Sequence, residues 1–261
     1  MVRVGVPGWR QGSPGQFALL QPEGSAVFLP RAFSLHGQGP DEVSFLIAPI
    51  GAGTIELTEV RPGDAVWVLG PVGRGFDLDA ISAVGEGRLV VVAGGVGVAP
   101  FPLLLQSLVG RKSAPGEVLV LGGFRDAVQA QCVDTFSLPV AALRAQGIDV
   151  RLEVICEDGS LGRTGLVTAL LGEELRPGDV VVACGAHAMC VAVWQLCRQQ
   201  ACSGWFSLEA GMACGVGSCR GCVIPVADGS LTRVCRQGPV FAGEVAFGDR
   251  PHPCAVLGDP A

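Results

Sequence analysis

Residues 89–109 read LVVVAGGVGVAPFPLLLQSLV. No charged side chain interrupts residues 89–110, and on hydropathy alone such a run is long enough to cross a bilayer. Its punctuation argues otherwise. Gly94, Gly95, Gly97, Pro100 and Pro102 separate a Val-rich run from a Leu-rich run, which predicts a buried strand, a glycine turn and a helix rather than a membrane span. Val180–Cys184, broken at Gly185 and followed by Met189–Gln200, repeats the arrangement.

Working outward from Arg88, the same rhythm continues. Leu89–Ala93 precedes Ala99–Val109, Glu117–Gly122 precedes Gln131–Gln146, and Asp149–Ile155, Val167–Leu171 and Val180–Cys184 follow before the last helix. Nearly continuous Val/Leu/Ile strands alternating with helical segments predict a parallel sheet covered on both faces. Residues 1–86 differ. Short apolar runs at Gln16–Leu20, Ala26–Leu29, Val43–Ala48, Ile55–Thr58 and Ala65–Leu69, spaced by turn residues, predict an antiparallel β-barrel or sandwich with no helix. After Phe206–Leu208, Gly and Cys replace regular pattern, giving a loop-rich appendage too small for its own core. The expected organisation is a barrel at 1–86, an α/β parallel-sheet nucleotide-binding domain at 87–205, and a metal-bound subdomain at 206–261.

Composition narrows the partners. Hydrophobic residues make up 49% and charged ones only 16% of the chain, as extensive buried sheet or a large subunit contact would require. A net charge of −6 offers no basic face to nucleic acid or to an anionic membrane, so neither is expected as a partner. The first fifteen residues lack the apolar segment of a signal peptide, and the expected location is cytoplasmic.

Eleven cysteines in a chain without an export signal suggest metal or redox chemistry more than disulfides. Cys132, Cys156, Cys184, Cys190, Cys197, Cys202 and Cys254 are scattered among apolar neighbours, and all but Cys184 read as small buried hydrophobes. The other four cluster. Cys214-x4-Cys219-x2-Cys222-x12-Cys235 has the plant-type ferredoxin spacing for a [2Fe–2S] cluster, three close ligands and one from a separate segment. Glycines at 211, 215, 217 and 221 give such a loop room to aim N–H groups at sulfur. A zinc site, which favours two Cys-x2–4-Cys pairs, and a disulfide are the rival readings.

Three further segments point to dinucleotides. Arg31-Ala32-Phe33-Ser34, read alone, fits a surface arginine beside a strand. About twenty residues on, Gly51-Ala52-Gly53-Thr54 opens a turn whose amides and hydroxyl could cradle a diphosphate, with any following helical turn adding a favourable dipole. Gly94-Gly95-Val96-Gly97-Val98-Ala99-Pro100 lets a pyrophosphate approach a helix start, although a plain tight turn would look similar. Cys184-Gly185-Ala186-His187-Ala188-Met189 ends a strand where ligands of open α/β sheets collect. His187 receives no role, and no catalytic acid or base is assigned.

In this order, the R-x-[YF]-S segment, the glycine turn ending in Thr, G-G-x-G-x-A-P and C-G-x-x-x-M resemble the ferredoxin reductase superfamily. Within it, Glu157-Asp158-Gly159-Ser160-Leu161-Gly162, Met212-Ala213-Cys214-Gly215 and Cys235-Arg236-Gln237-Gly238-Pro239-Val240-Phe241 are similar to the electron-transfer subunits of class 1B dihydroorotate dehydrogenases, across essentially the whole chain. The resemblance implies FAD, a [2Fe–2S] cluster and NAD as electron acceptor, with electrons from dihydroorotate arriving from an FMN-containing catalytic subunit in a heterotetramer of two of each. It implies that Arg31, with Ala32 and Phe33, holds FAD and that Ser34 approaches the flavin ring. Gly53 and Thr54 would bind the FAD pyrophosphate. Gly94, Gly95, Gly97 and Pro100 would shape the NAD pocket, with Cys184 and Gly185 near the nicotinamide. Ala32 and Ala186 stand where the pattern frequently has Pro, and the chain has no Tyr, so any aromatic stacking on the flavin falls to a residue such as Phe33. The rival readings are the small subunit of an NADH, NADPH and ferredoxin oxidoreductase, and, in another class, a zinc-bound structural or adaptor subunit.

Overall fold

The computed structural model describes residues 1–82 and 87–248. Cys254 and residue 86 of the first expected boundary lie outside the described residues.

A seven-stranded sheet organises the larger part of the chain, in the order Arg163–Thr164, Asp149–Cys156, Glu117–Phe124, Arg88–Gly94, Val180–Cys184, Ser203–Ser207, Val240–Ala242. Each of the first six pairs in parallel with its neighbour, and only Val240–Ala242 runs antiparallel. Alternation along one strand shows why its sequence is apolar throughout. Val90 and Val92 face one core with Leu170, Leu171 and Val193, whereas Leu89, Val91 and Ala93 face another with Leu104, Leu105, Leu108 and Leu143. Helices Val167–Glu174 and His187–Gln199 cover the first face, and Phe101–Leu108 with Ser137–Ala145 the second. Each side chain so buried contributes roughly 1.5–3 kcal/mol. Cys156, Cys190, Cys197 and Cys202 are buried and Cys132 is half-buried, as small hydrophobes would be.

At the N-terminal end of this sheet the buried Arg88 guanidinium meets Asp179 at 2.6 and 3.1 Å, with Glu117 at 3.5 Å. A charge that deep is tolerated only when paired. Gly94 and Cys184 terminate neighbouring strands at the opposite end.

Two three-stranded antiparallel sheets make up the barrel: Val2–Gly5, Glu42–Phe45 and Gly37–Gln38 in one, Arg31–Ser34, Phe17–Pro22 and Val66–Val72 in the other. Ala18, Leu20, Leu35, Val43, Phe45 and Leu57 fill the space between, and Leu103 of helix Phe101–Leu108 joins them. The barrel is bound to the glycine turn that follows Arg88–Gly94 by buried His36, whose Nδ1–H donates to the Ala99 carbonyl at 2.9 Å.

Two expectations for residues 1–86 fail. Ile55–Thr58 is not a strand but lies within helix Ala52–Glu59, and a second short helix covers Leu78–Ser82. Ile-Glu-Leu-Thr alternates like a strand, yet only Gly53 and Leu57 of that helix are buried, so one anchoring contact replaces a whole strand face. Ala26–Leu29 is loop. Gln21 Nε2 takes the Val27 carbonyl at 2.6 Å, satisfying with a side chain what a ladder would otherwise pair.

The appendage returns to the sheet. A boundary after residue 205 cuts strand Ser203–Ser207, and Val240–Ala242 pairs with that strand, Phe206 opposite Phe241. Phe17 and Leu19 of the barrel share one core with Cys222, Val234 and Cys235, so the small subdomain borrows the core it cannot build alone. Among the described residues no helix is long and apolar enough to cross a membrane.

Candidate functional site

The strands nearest the middle of the parallel sheet define a switch point. From Arg88–Gly94 the chain adds strands outward to Arg163–Thr164, then returns to place Val180–Cys184 on the other side, which opens a crevice at the carboxyl ends. Gly97 sits against this crevice so closely that a Cβ there would run into the Cys184 carbonyl, and a Cβ at Gly94 would strike Met189. Gly185 has φ +157, outside the range of ordinary side-chain-bearing residues. Small residues are therefore required for the two strand ends and the turns after them to meet this closely.

Two clefts flank that point. The first, about 460 Å³, runs over the strand ends and is lined by Gly94, Gly95, Arg125, Gln129, Glu157 and Met189 among others. It has the place and the backbone access expected of a dinucleotide site. Pro100 does not line it. This residue caps helix Phe101–Leu108 and is buried, so any contribution to the pocket is through the direction it gives that helix.

The second cleft, about 260 Å³, brings distant segments together. Arg31, Ala32, Phe33 and Ser34 form one wall, Thr54 closes one end, and Cys184 reaches it from the parallel sheet. Arg31–Ser34 is the edge strand of its sheet, which leaves one side of its backbone and side chains open to a ligand. The Thr54 hydroxyl accepts the Ile50 and Gly51 amides, both at 3.0 Å, and donates to the Gly51 carbonyl at 2.9 Å. That clasp begins the eight-residue helix Ala52–Glu59 and presents its first amides. Gly53 brings the helix start against Arg31, whose Nε lies 3.1 Å from where a Cβ would be. Arg31 donates to the Leu29 carbonyl at 2.9 Å, and among the described residues no carboxylate pairs with it. A guanidinium without a counter-ion beside a helix start is the chemistry a diphosphate requires. Phe33 borders this cleft while packing on Phe45 at 6.5 Å between ring centres.

Residues without a sequence signal complete the wall: Ser207, Leu208 and Glu209. Glu209 is exposed to the cleft but crowded by its walls, and that desolvation raises its carboxyl above the ordinary range. Burial, with the Glu209 charge nearby, pushes the Cys184 thiol well up and keeps it neutral. His187 opens helix His187–Gln199 and meets Phe247 edge-on at 5.9 Å. Its imidazole is lowered by desolvation, in keeping with a packing residue.

Met212 lines the second cleft, and two residues later Cys214 begins the cysteine loop. The Cys219 amide points to Cys214 Sγ at 3.4 Å, Gly221 to Cys219 Sγ at 3.3 Å, and Cys235 to Cys222 Sγ at 3.4 Å. Cys222 and Cys235 lie 3.1 Å apart, buried, while Cys219 is exposed. Amides of Cys219, Val216 and Ser218 hold the Cys214 thiol down at about 6, whereas burial pushes Cys235 up to about 11. Gly215, at φ +66, lies so close to Leu19 that a Cβ would overlap its methyl. The thiols stand as two pairs, Cys214 with Cys219 and Cys222 with Cys235, and among the described residues no three of them are set to hold a metal ion. Amides aimed at Cys214, Cys219 and Cys222 are nonetheless the surroundings a sulfur-bridged metal cluster takes.

Comparison with known proteins agrees with this geometry. Residues 209–245 match the family described as the iron-sulfur cluster binding domain of dihydroorotate dehydrogenase B. The chain is 32% identical over 243 residues to the electron transfer subunit of dihydroorotate dehydrogenase B (NAD(+)) of Clostridium acetobutylicum, covering 92% of this chain and 89% of that protein. The corresponding subunit of Geobacillus thermodenitrificans is 35% identical over 250 residues, covering 91% and 88%. Among solved structures, an NADH-dependent reduced ferredoxin–NADP oxidoreductase superposes with TM-score 0.76 at 25% identity, over 95% of this chain and 84% of that one. A ferredoxin NADP+ reductase from Neisseria gonorrhoeae, with bound FAD and NADP, shares the fold at TM-score 0.58 and 19% identity, over 76% and 83%. With its reductase fold, its two clefts and its four cysteines accounted for, this chain belongs to the family of dihydroorotate dehydrogenase B electron transfer subunits.

Proposed function

We propose that this chain passes electrons from dihydroorotate, oxidised on a partner catalytic subunit, to NAD+ in pyrimidine biosynthesis, with a [2Fe–2S] cluster and FAD as its cofactors. When bound, FAD supplies the exchange between electron pairs and single electrons, and the cluster supplies a one-electron station. The observation that carries this reading is the flavin-side cleft. It is bordered at once by Arg31–Ser34, by Cys184 at the end of the nucleotide sheet, and by Met212 beside ligand Cys214.

The residues divide the work by position. Arg31, Gly53 and Thr54 hold a diphosphate between a guanidinium and a helix start, and Ser34 offers a hydroxyl further along the same strand. Gly94, Gly95 and Gly97 admit the NAD backbone to the neighbouring cleft, and Cys184 with Gly185 sits where the two clefts approach. A neutral Cys184 thiol adds no negative charge that would oppose hydride arrival. Cys214, Cys219, Cys222 and Cys235 hold the cluster, Cys219 on the exposed side. The partner carries FMN, two copies of each subunit assemble in the cytoplasm, and dihydroorotate has no site on this chain.

Co-purification from cells tests the reading. The native complex should contain a dihydroorotate-oxidising subunit, and NAD+ reduction by dihydroorotate should require both polypeptides. The chain alone should reduce an artificial acceptor with NADH. Dihydroorotate turnover by the chain free of any partner would overturn the proposal, and ferredoxin-dependent NADP+ reduction in the native complex would favour the oxidoreductase likeness instead.

A further inference from the structure

Arg125 and Glu157 stand on adjacent strand ends at the part of the nucleotide cleft away from Cys184. Phe124 is paired with Cys156, and the ladder continues past the strands. The Glu157 amide donates to the Phe124 carbonyl at 2.9 Å and the Asp158 amide to the Arg125 carbonyl at 3.3 Å. Both backbones are thus set by the sheet, Arg125 one strand spacing and Glu157 two, roughly 5 and 10 Å, from the strand that ends at Gly94. That is the side on which the adenosine half of a dinucleotide lies when its pyrophosphate sits on the glycines and its nicotinamide faces Cys184.

Three carboxylate and cation groups compete for roles there, and the structure separates them. Asp158 is committed locally: its Oδ1 accepts the Ser160 amide at 2.9 Å, and the Ser160 hydroxyl and amide hold its carboxyl below the ordinary range. Among the described residues neither Glu157 nor Arg125 forms an ion pair. A free carboxylate accepts hydrogen bonds from vicinal ribose hydroxyls and repels a 2′-phosphate, whereas a free guanidinium would attract one.

We propose that Glu157 is the residue that selects NAD over NADP, overriding the adjacent Arg125. The inference rests on the reading of this cleft as the NAD site. Its carboxylate accepts from the adenosine ribose, and its charge denies Arg125 to a 2′-phosphate. With Glu157 neutralised, nothing opposes the attraction of Arg125 for that phosphate.

Calorimetric titration of the FAD- and cluster-loaded chain with NAD+ and with NADP+ tests this without relying on turnover. The wild-type chain should bind NAD+ about a hundredfold more tightly than NADP+, and Glu157→Gln should cut that ratio roughly thirtyfold. Glu157→Asp should keep most of the preference, and adding Arg125→Gln to Glu157→Gln should remove the gain in NADP+ affinity. Should Glu157→Gln fail to fold, Glu157→Thr reports the same ratio. A ratio unchanged within about twofold in either neutral variant that still binds NAD+ overturns the role of Glu157 and leaves the cleft assignment standing. A wild-type chain that binds neither nucleotide overturns both.

Discussion

The nucleotide cleft and the cysteine loop are built by opposite means. Beneath the cleft, six parallel strands and their covering helices hold the strand ends in register, and close glycine contacts leave little room for adjustment. Residues 208–222 contain no helix or strand. There the chain is held at its buried half, where Cys222 and Cys235 join Phe17 and Leu19 in one core, and is open at Cys219. A sheet pre-forms a site for a ligand that comes and goes. A loop whose amides converge on sulfur is completed by the group it binds, so its order depends on that group.

The strongest test of this contrast lies within the loop. Cys219→Ser should lower iron from two per chain to near none while FAD is retained, because Cys219 is exposed and the barrel core is untouched. Cys222→Ser should lose the iron as well and also loosen FAD, since a hydroxyl enters the core shared with Phe17. Iron, sulfide and flavin analysis distinguishes them, and equal FAD loss in both would mean that the loop has no independent half.

On the sheet side, Asp179→Ala takes from the buried Arg88 guanidinium its closest carboxylate, the one it holds through two hydrogen bonds, and leaves the Glu117 and Glu174 carboxylates at 3.5 and 3.9 Å. The expected cost is about 3–5 kcal/mol of global stability in urea denaturation. Flavin and iron content of the folded fraction should not change; coupled loss of cluster would deny the separation drawn here.

Arg31→Ala removes a charge-assisted phosphate contact and should weaken FAD retention by about 1.5–3 kcal/mol, roughly ten- to a hundredfold. Flavin occupancy on serial dilution measures it, and unchanged occupancy would return Arg31 to the surface. The smallest effect is expected from Thr54→Ala, which frees the Ile50 and Gly51 amides at the start of Ala52–Glu59. About 1 kcal/mol is the usual cost of losing such a clasp, seen as a severalfold faster FAD dissociation with the cluster spectrum unchanged.

The ease of reading differed along the chain for physical reasons. Val180–Cys184 could be placed to the residue because a strand covered on both faces must be apolar at every position. Helix Ala52–Glu59 could not, since a helix anchored by Leu57 alone needs no periodic face. Glu209 and Ser207 carried no signal, because an isolated Glu or Ser after a strand is common and only the approach of the barrel makes these residues line a cleft.

By itself, the sequence determined the parallel sheet, the ferredoxin-like spacing of four cysteines and the small-residue turns, because burial on two faces, ligand spacing and close backbone approach restrict which residues can stand at each position. Tertiary structure alone decided that Arg31, Thr54, Cys184 and Met212 share one cleft, that the appendage completes its core with Phe17 and Leu19, and that Glu157 comes to stand beside Arg125. Those meetings join segments far apart in the chain, and they follow from how the barrel, sheet and loop pack, which no local pattern records.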